Sequence, residues 1–480
     1  MNAADGAATR GAAHDADVLQ DARDVLRLAA ERDLADVRVV FVDQHGLTRG
    51  RSVGIDQLGA VLRDGIGVPG SLLHKDTGNT YALPLWEPTG DSALDALVGA
   101  RNIVLRPDPR TFRVLPWAKR SGWLLCDIET VDGAPLPHST RDLCRRALDR
   151  LAGHDLRFRA GLELELYVYR RAADGTLVPV HAGWDLLGEA AYDEMEPLLA
   201  PIRAGLAELG LAPRTLEAEL GPGQVELTFG AVTGLEVADQ AVLVRNAVRS
   251  IARRHGLHAT FMCRPALGDS FPSGWHLHQS LTALGGDGDG GRDGDGSLFE
   301  PRPAAASDLL SPLGQQWVAG LLEHAAASCL LSTPTVNGYK RYRARAVAPD
   351  RITWSREHRG AMLRVVGAPG DAATRVENRV GDPSANPYLF VASQVLSGLD
   401  GLERSLVPPP PSESPYSEAG GPLLPRSLGE AIEAFESSGF YRDALGADVH
   451  AYLVALKRSE WGRFLAAVTD WEQREYFEQF

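Results

Sequence analysis

Glutamates alternate with leucines in the segment GLELELYVY, where Glu163 and Glu165 are separated by one residue. Side chains of a β-strand point alternately to opposite faces, so a strand here places both carboxylates on one face. A solvated strand face is the alternative interpretation, and taken alone the segment favours it.

A second acidic segment, EAELGPGQVEL, carries Glu217, Glu219 and Glu226 around a Gly-Pro-Gly turn. Glutamate is uncommon in strands and in turns. Three glutamates around a tight bend therefore favour a functional role for their carboxylates. An exposed acidic hairpin is the alternative, and the segment by itself does not decide between the two.

Two histidines lie in the segment GWHLHQSL, and its apolar pattern predicts a strand. His276, His278 and Ser280 then share one face, while Leu277 and Leu281 point the other way. A lone histidine on such a strand is usually a core residue, but two on one face favour a role as ligands.

The segment TRVENRV places Arg375, Glu377 and Arg379 on one face of a further strand, because Val376 and Asn378 alternate with them. A solvated arginine-rich surface is the alternative, but the flanking Val, Met and Leu residues favour burial. Three more arginines lie nearby in the sequence: Arg341, Arg359 and Arg364.

Together these segments offer carboxylates, imidazoles and guanidinium groups. Carboxylates converge only where positive charge offsets their repulsion and their lost hydration. A site rich in oxygen ligands and without thiolates suits hard cations such as Mg²⁺ or Mn²⁺. Guanidinium groups beside such cations are what phosphoryl transfer requires. The residues therefore predict metal-assisted phosphoryl transfer, and the sequence contains neither a Walker A loop nor a G-x-G-x-x-G turn between a strand and a helix.

Composition excludes some partners and places the chain in a compartment. The chain has 480 residues and a net charge of −14, so neither nucleic acid nor a membrane is expected as a partner. Its four cysteines form no C-x-x-C pair, which is typical of a reducing cytoplasm. Residues 1–16 have no apolar stretch and predict a disordered tail.

The apolar periodicity predicts the elements that position these residues. A helix over 17–35 and a hairpin over 37–53 form the beginning of a small α+β unit that spans 17–108. A larger unit over 112–480 follows, and it includes a long helix over 234–255. The chain is thus long enough for two domains.

The order of these motifs resembles the glutamine synthetase family from about Trp123 to the C-terminus. The matching segments are E-x-E (163–165), E-L-G-P-G-Q-V-E (219–226), S-G-W-H-L-H-Q-S (273–280), N-G-Y-K-R (337–341), R-V-E-N-R (375–379) and D-P-S-A-N-P-Y-L (382–389). The resemblance implies an α+β fold, with a small N-terminal β-grasp domain and a large catalytic domain built on an antiparallel half-barrel with helices. It also implies a homo-oligomer, a dodecamer of two hexameric rings whose sites are shared between subunits.

The resemblance also implies the roles of individual residues. One metal ion would be held by Glu165, Glu219 and Glu226, and a second by Glu163, His276 and Glu377. The residues facing ATP would be His278, Ser280, Arg364 and Arg375. The acid substrate and the transferring phosphoryl group would be held by Arg341, Arg359 and Arg379, with Glu165 beside the substrate. Among these, Arg359, Arg379 and Glu377 would be catalytic. The implied reaction uses ATP and two or three Mg²⁺ or Mn²⁺ ions to make an acyl phosphate, which an amine then converts to an amide.

Departures from the family pattern concern the nucleophile. The family's F-D-G-S loop reads V-P-G-S here, with Pro69 in place of the Asp, and Val347 stands where the family has a Glu before Ala-Pro. Losing two carboxylates weakens the attraction for ammonium and opens apolar room, so an organic amine is predicted. The family's Asn-Gly, which holds the amino acid head of glutamate, is not evident in 268–276.

Two alternatives stay open. An ammonia-using glutamine synthetase is possible if Asp76 or Asp350 replaces the missing carboxylates, and a non-catalytic assembly protein is the other. The complete set of six metal ligands argues against the second alternative.

Overall fold

The computed structural model describes residues 22–90, 92–267, 270–285, 296–301, 309–342, 348–417 and 421–480. The predicted tail over 1–16 and the predicted pocket residue Val347 lie outside these residues.

A six-stranded sheet forms the N-terminal part of the fold. Its elements are α1 (22–31), β1 (Asp36–Val42), β2 (Thr48–Gly54), α2 (Leu58–Asp64), β3 (Ile66–Pro69), β4 (Asn102–Pro107), β5 (Arg113–Val114) and β6 (Ser121–Thr130). The strand order is β2-β1-β6-β4-β3, with β5 added on β6, and only the pair of β1 and β6 is parallel. Strand β6 is central to this sheet, although it lies C-terminal to the predicted domain boundary at 108.

A ten-stranded sheet forms the rest of the β-structure. Its strands are β7 (Leu156–Arg171), β8 (Leu177–Pro179), β9 (Thr215–Ala218), β10 (Gln224–Thr228), β11 (Val232–Thr233), β12 (Leu257–Thr260), β13 (Trp275–Ala283), β14 (Trp354–Arg356), β15 (Leu363–Val366) and β16 (Arg375–Asn378). The main order is β14-β15-β16-β13-β7-β10-β9, and β7 also pairs with β8, β11 and β12. Every pair in it is antiparallel except β14 with β15.

Helices cover this second sheet and complete the core. They are α3 (Thr140–Ala152), α4 (Glu189–Glu208), α5 (Glu236–Arg254), α6 (Pro312–Glu323), α7 (Ala325–Ser332), α8 (Pro387–Glu403), α9 (Leu428–Glu436), α10 (Gly439–Leu445), α11 (Ala447–Ala466) and α12 (Asp470–Tyr476). Helix α5 confirms the helix predicted over 234–255. Within the described part of the chain, no helix is long and apolar enough to cross a membrane. The mixed architecture confirms the predicted α+β class.

Strand β7 is the centre of the larger sheet. It runs for 16 residues and is buried over most of its length, because helices cover one face and the opposite face lines a cavity. Leu162, Leu164 and Leu166 point into the apolar core, as the alternation of the sequence predicts. The opposite face of β7 therefore carries Glu163 and Glu165.

Candidate active site

The strand register brings the predicted acidic and imidazole side chains together. The strands β16, β13, β7 and β10 are consecutive neighbours in the sheet. Glu165 lies opposite Glu226, and Glu163 lies opposite His276. His278 lies opposite Glu377 in the same way. Directly opposed residues share a face of the sheet, so four strands build one polar surface.

Two groups of potential metal ligands lie on this surface. Glu163, His276 and Glu377 form one group, and Glu165, Glu226 and His276 form the other, with the ligand atoms of each group within 4.8 Å of one another. We call the five residues Glu163, Glu165, Glu226, His276 and Glu377 the carboxylate site. The first group is the ligand set predicted for the second metal ion.

Glu219 does not converge with the second group. Its carboxylate accepts a hydrogen bond from the backbone N–H of Leu220 at 3.1 Å, although Glu219 lines the same cavity. His276 takes its place among the atoms that lie close to Glu165 and Glu226.

Two histidines hold the carboxylate of Glu163 in the first group. His276 Nδ1 shares a hydrogen bond with Glu163 Oε1, and His278 Nε2 lies 3.0 Å from Glu163 Oε2. Burial opposes ionisation of Glu163, but the two histidines outweigh it, so its pKa lies below the ordinary value. Burial, followed by the charge of Arg379, lowers the pKa of His276 to about 4. A neutral imidazole with a free electron pair is the form that binds a metal ion.

The second group has too little positive charge nearby to keep its carboxylates ionised. Burial, followed by the charge of Glu163 and Glu165, raises the pKa of Glu226 to about 10. Burial and the charge of Glu219 raise the pKa of Glu165 to about 8. Carboxylates that repel one another in a buried place become stable in the ionised form when a divalent cation lies between them. The residues present therefore fit the hard divalent ions expected from the sequence.

Arginines surround the carboxylate site. Glu377 is fully buried and pairs with Arg379 and, at 2.9 Å, with Arg364. Arg341 Nη2 lies 2.9 Å from His276 Nε2, and its Nη1 donates to the carbonyl of Gly381 at 2.8 Å. These guanidinium groups place positive charge where anionic oxygens of a substrate would lie.

A cavity of about 490 Å³ opens beside the carboxylates. Its polar lining includes the carboxylates and four of the predicted arginines, namely Arg341, Arg359, Arg364 and Arg379. Its apolar lining includes Leu186, Leu187 and Phe271, and Phe271 meets the ring of Trp184 edge-on with centroids 5.1 Å apart. The cavity thus has both a charged and an apolar lining, and we call Leu186, Leu187 and Phe271 the apolar wall.

Three of the residues assigned to ATP are not among the described residues that line this cavity. Arg375 Nε donates to His278 Nδ1 at 3.1 Å, so these two side chains contact each other. Ser280 is buried and lies further along β13, opposite Arg159.

The two positions that depart from the family pattern lie apart from the cavity or outside the described residues. Pro69 is exposed at the end of β3, where it pairs with Asn102 in the smaller sheet. Val347 falls outside the described residues. Asp76 accepts hydrogen bonds from Arg463 Nε and Ser459 Oγ, both at 2.8 Å, so this carboxylate is engaged in the fold of its own chain.

Sequence reasoning missed Gln224 and the apolar wall. Gln224 Nε2 donates to Glu165 Oε2 at 2.8 Å and so orients that carboxylate. Gln224 and Glu226 are two residues apart on β10, and this spacing was a usable signal. Leu186 and Leu187 lie in a loop without periodicity, so their place could not be read from the sequence.

A mainly antiparallel sheet that presents carboxylates and imidazoles to arginines offers the side chains that an enzyme of metal-assisted phosphoryl transfer requires. The family model described as "Glutamine synthetase, catalytic domain" matches residues 137–476. The chain belongs to the glutamine synthetase family and is an ATP-dependent, amide-forming ligase. Members of this family use ATP and divalent metal ions.

Several known proteins are similar along most of their length. A γ-glutamylanilide synthase of Acinetobacter sp. is 38% identical, with 95% of this chain and 96% of that protein covered. A glutamine synthetase of Thermus thermophilus is 34% identical over 78% of this chain and 84% of that protein. A γ-glutamylethanolamide synthetase of Streptomyces coelicolor is 32% identical over 94% of both chains. Among solved structures, "Apo GmaS without ligand" aligns with a TM-score of 0.79 and 29% identity, over 94% of this chain and 99% of that one.

Proposed function

We propose that this ligase joins glutamate to an organic amine and forms a γ-glutamylamide through γ-glutamyl phosphate. The observation that carries the proposal is the apolar wall of Leu186, Leu187 and Phe271 beside the carboxylate site. An apolar wall stabilises the hydrocarbon part of an amine but offers nothing to ammonium. The names of two relatives, an anilide synthase and an ethanolamide synthetase, support the same class of nucleophile.

The residues would share the work in three groups. Two or three Mg²⁺ or Mn²⁺ ions would be held by Glu163, Glu165, Glu219, Glu226, His276 and Glu377, and these ions would neutralise charge on the phosphates. ATP would contact His278, Ser280, Arg364 and Arg375. The glutamate carboxylate and the transferring phosphoryl group would be held by Arg341, Arg359 and Arg379. Preorganised guanidinium groups stabilise the charge that develops during transfer.

The amine must attack as a free base, so its surroundings should not favour the protonated form. A carboxylate beside it would stabilise the ammonium ion, whereas apolar surroundings disfavour it. In this proposal Pro69 and Val347 remove two such carboxylates, and Leu186 and Leu187 supply the apolar contact.

The proposal includes a homo-oligomer, a dodecamer of two hexameric rings in the cytoplasm. Pro69 lies away from the cavity of its own chain, which fits a site completed by the neighbouring subunit. The C-terminal end supports association as well. Helix α12 buries none of its residues, and Trp471, Phe477 and Phe480 are exposed on and after it. The four buried free cysteines fit a reducing compartment.

The test measures phosphate release from ATP with Mg²⁺, glutamate and a panel of ammonium, aniline, ethanolamine, alkylamines and polyamines. We expect turnover with an organic amine and little turnover with ammonium. Turnover with ammonium alone would establish the ammonia-using alternative. Lack of turnover with every acid and amine would favour the non-catalytic assembly.

A variant connects the apolar wall with the choice of amine. Leu187 has a left-handed backbone with φ of 58°, which asparagine tolerates, so Leu187→Asn removes apolar surface without adding strain. We expect kcat/KM for the preferred amine to fall about tenfold, because one lost apolar contact has that effect on specificity. The matched control is Leu26→Asn, an exposed leucine on α1. If kcat/KM for ammonium falls by the same factor, Leu187 does not determine the choice of amine.

A further inference from the structure

A second pocket, of about 290 Å³, lies away from the carboxylate site. It is formed where the turn between β1 and β2 meets helix α5 and the segments after β12 and α7. Its polar lining comes from Arg245, Asn246, Arg249, Thr260, Thr335 and Asn337, with Ser384 and Thr48 at its edges. None of the described residues that line it is acidic. A positive pocket in a chain with a net charge of −14 is a local departure from the overall field.

Arg245 forms the floor of this pocket and is held by backbone oxygens. The side chain is 7% exposed, and its Nη1 donates to the carbonyls of Pro383 and Ala385 at 2.9 and 2.8 Å. Burial, followed by the charge of Arg249, lowers the pKa of Arg245 to about 10, while Asp382 acts in the opposite direction. Carbonyl dipoles hold the guanidinium in place, and no carboxylate of the described residues forms an ion pair with it.

Arg249 stands at the mouth, one helical turn after Arg245. Its side chain is exposed, and among the described residues it makes no hydrogen bond or ion pair. Residues four apart on a helix lie on the same side, with Cβ atoms roughly 5–6 Å apart. Two guanidinium groups at this spacing can each bind one acidic group of a single small molecule.

The remaining lining suits such a molecule. Asn246, Thr260 and Asn337 offer side-chain hydrogen bonds, and Val242 with Phe261 offers a short apolar surface. The volume is at the lower end of the range for small-molecule sites, roughly 300–1,000 Å³. A ligand with two acidic groups on a short carbon chain fits this combination.

We infer that the pocket at Arg245 and Arg249 binds a small metabolite with two negatively charged groups, either carboxylates or phosphates. It is a site separate from the one where the reaction takes place. Asn337 lines it, and Asn337 also holds the backbone of Arg264 through two hydrogen bonds of 2.8 and 3.0 Å. Four residues further along the chain, Arg341 reaches the carboxylate site, so a bound ligand would contact a segment that carries a substrate-facing arginine.

Calorimetry on the full-length protein tests this site. A non-hydrolysable ATP analogue, Mg²⁺ and glutamate are present at saturation throughout, so that the phosphate and acid positions of the reaction site are filled. The probes are succinate, inorganic phosphate and pyrophosphate, with acetate as the singly charged reference. We expect saturable binding of at least one doubly charged probe and much weaker binding of acetate. Absence of saturable binding, or equal binding of acetate, would overturn the inference. Binding of succinate would indicate a dicarboxylate ligand, and binding of phosphate or pyrophosphate would indicate a phosphorylated one.

A variant pair assigns the binding to the pocket. Arg249→Gln removes a side chain that the fold does not use, whereas Arg253→Gln changes an exposed arginine on the same helix that does not line the pocket. We expect Arg249→Gln to weaken binding about tenfold or more, as the loss of a charged hydrogen bond does, and Arg253→Gln to leave it unchanged. Equal binding by both variants would overturn the inference. A change of oligomer size in Arg249→Gln, measured by light scattering, would do so too, because Arg249 would then pair with another subunit.

Discussion

Two buried clusters of charged side chains in this protein balance their charges in different ways. The first is the Arg141 network, which consists of Asp108, Asp127, Arg141, Arg145 and Asp239 and connects the smaller sheet with helices α3 and α5. Arg141 contacts three aspartates at 2.8 to 3.0 Å. Burial opposes ionisation of Asp108, but Arg110 and Arg141 outweigh it and lower its pKa to about 2.

The carboxylate site is the second cluster, and two of its carboxylates, Glu165 and Glu226, have too little positive charge nearby to stay ionised. Glu226 makes no hydrogen bond with its side chain among the described residues, and its pKa is raised to about 10. A network that contains its own counter-charges stabilises the fold, whereas a network that lacks them is completed by what it binds. The difference between the two clusters therefore separates a structural role from a binding role.

The largest expected effect comes from Glu226→Gln. The amide is a poor ligand for Mg²⁺, so we expect kcat to fall by about a thousandfold or more. The melting temperature of the metal-free variant should rise, because the amide needs no proton and repels no neighbouring carboxylate. Phosphate release and calorimetry with a chelator measure the two effects.

The control for this variant is Glu208→Gln, which changes an exposed residue at the end of α4. It should leave both turnover and melting temperature unchanged. Near-normal turnover of Glu226→Gln, or a lower melting temperature without metal, would contradict a binding role for the carboxylate site.

The Arg141 network should respond in the opposite way. Arg141→Met leaves the buried Asp108 and the half-buried Asp127 and Asp239 without their shared partner, so we expect a loss of about 3–5 kcal/mol of stability. Arg150→Met on the same helix removes a pair with Glu403 that is partly exposed to solvent, and should cost about 0–1 kcal/mol. The shift of the urea midpoint measures both losses. Similar midpoints for the two variants would show that the network does not stabilise the fold.

The carboxylate site was largely predictable from sequence because it follows the period of a strand. Glu163 and Glu165 alternate with leucines, and His276 and His278 alternate with apolar residues, so each pattern fixes a face. The resemblance then indicated that these faces meet. Glu219 is the predicted ligand that does not converge with Glu165 and Glu226. It lies in the turn before β10, where no strand periodicity fixes the direction of a side chain.

Features built from distant segments could not be predicted in the same way. The parallel pairing of β1 with β6 joins residues about 85 positions apart. The sequence of neither strand indicates which strand it pairs with. The pocket at Arg245 takes its lining from five separate segments. The apolar wall depends on Trp184 and Leu187, whose left-handed backbones expose large side chains against the usual preference.

The pH dependence of stability sharpens the comparison with a smaller effect. Glu226 and Glu165 have raised pKa values of about 10 and 8, so the folded metal-free protein binds more protons than the unfolded chain above about pH 4.5. Its stability should therefore fall as pH rises, by about 1.4 kcal/mol per pH unit for each extra proton bound. Asp108 affects stability at acidic pH instead. Its lowered pKa stabilises the folded protein, and this stabilisation is lost as pH falls from about 4 towards 2.

Melting temperatures between about pH 6 and pH 9, with a chelator or with Mg²⁺, measure this slope. Mg²⁺ replaces the protons, so the decline seen with the chelator should flatten, and the stabilisation by Mg²⁺ should grow with pH. Glu226→Gln should flatten part of the decline without any metal, whereas Arg150→Met should follow the unmodified protein. Parallel curves with and without Mg²⁺ would mean that the excess charge of the carboxylate site is neutralised by something other than a divalent cation.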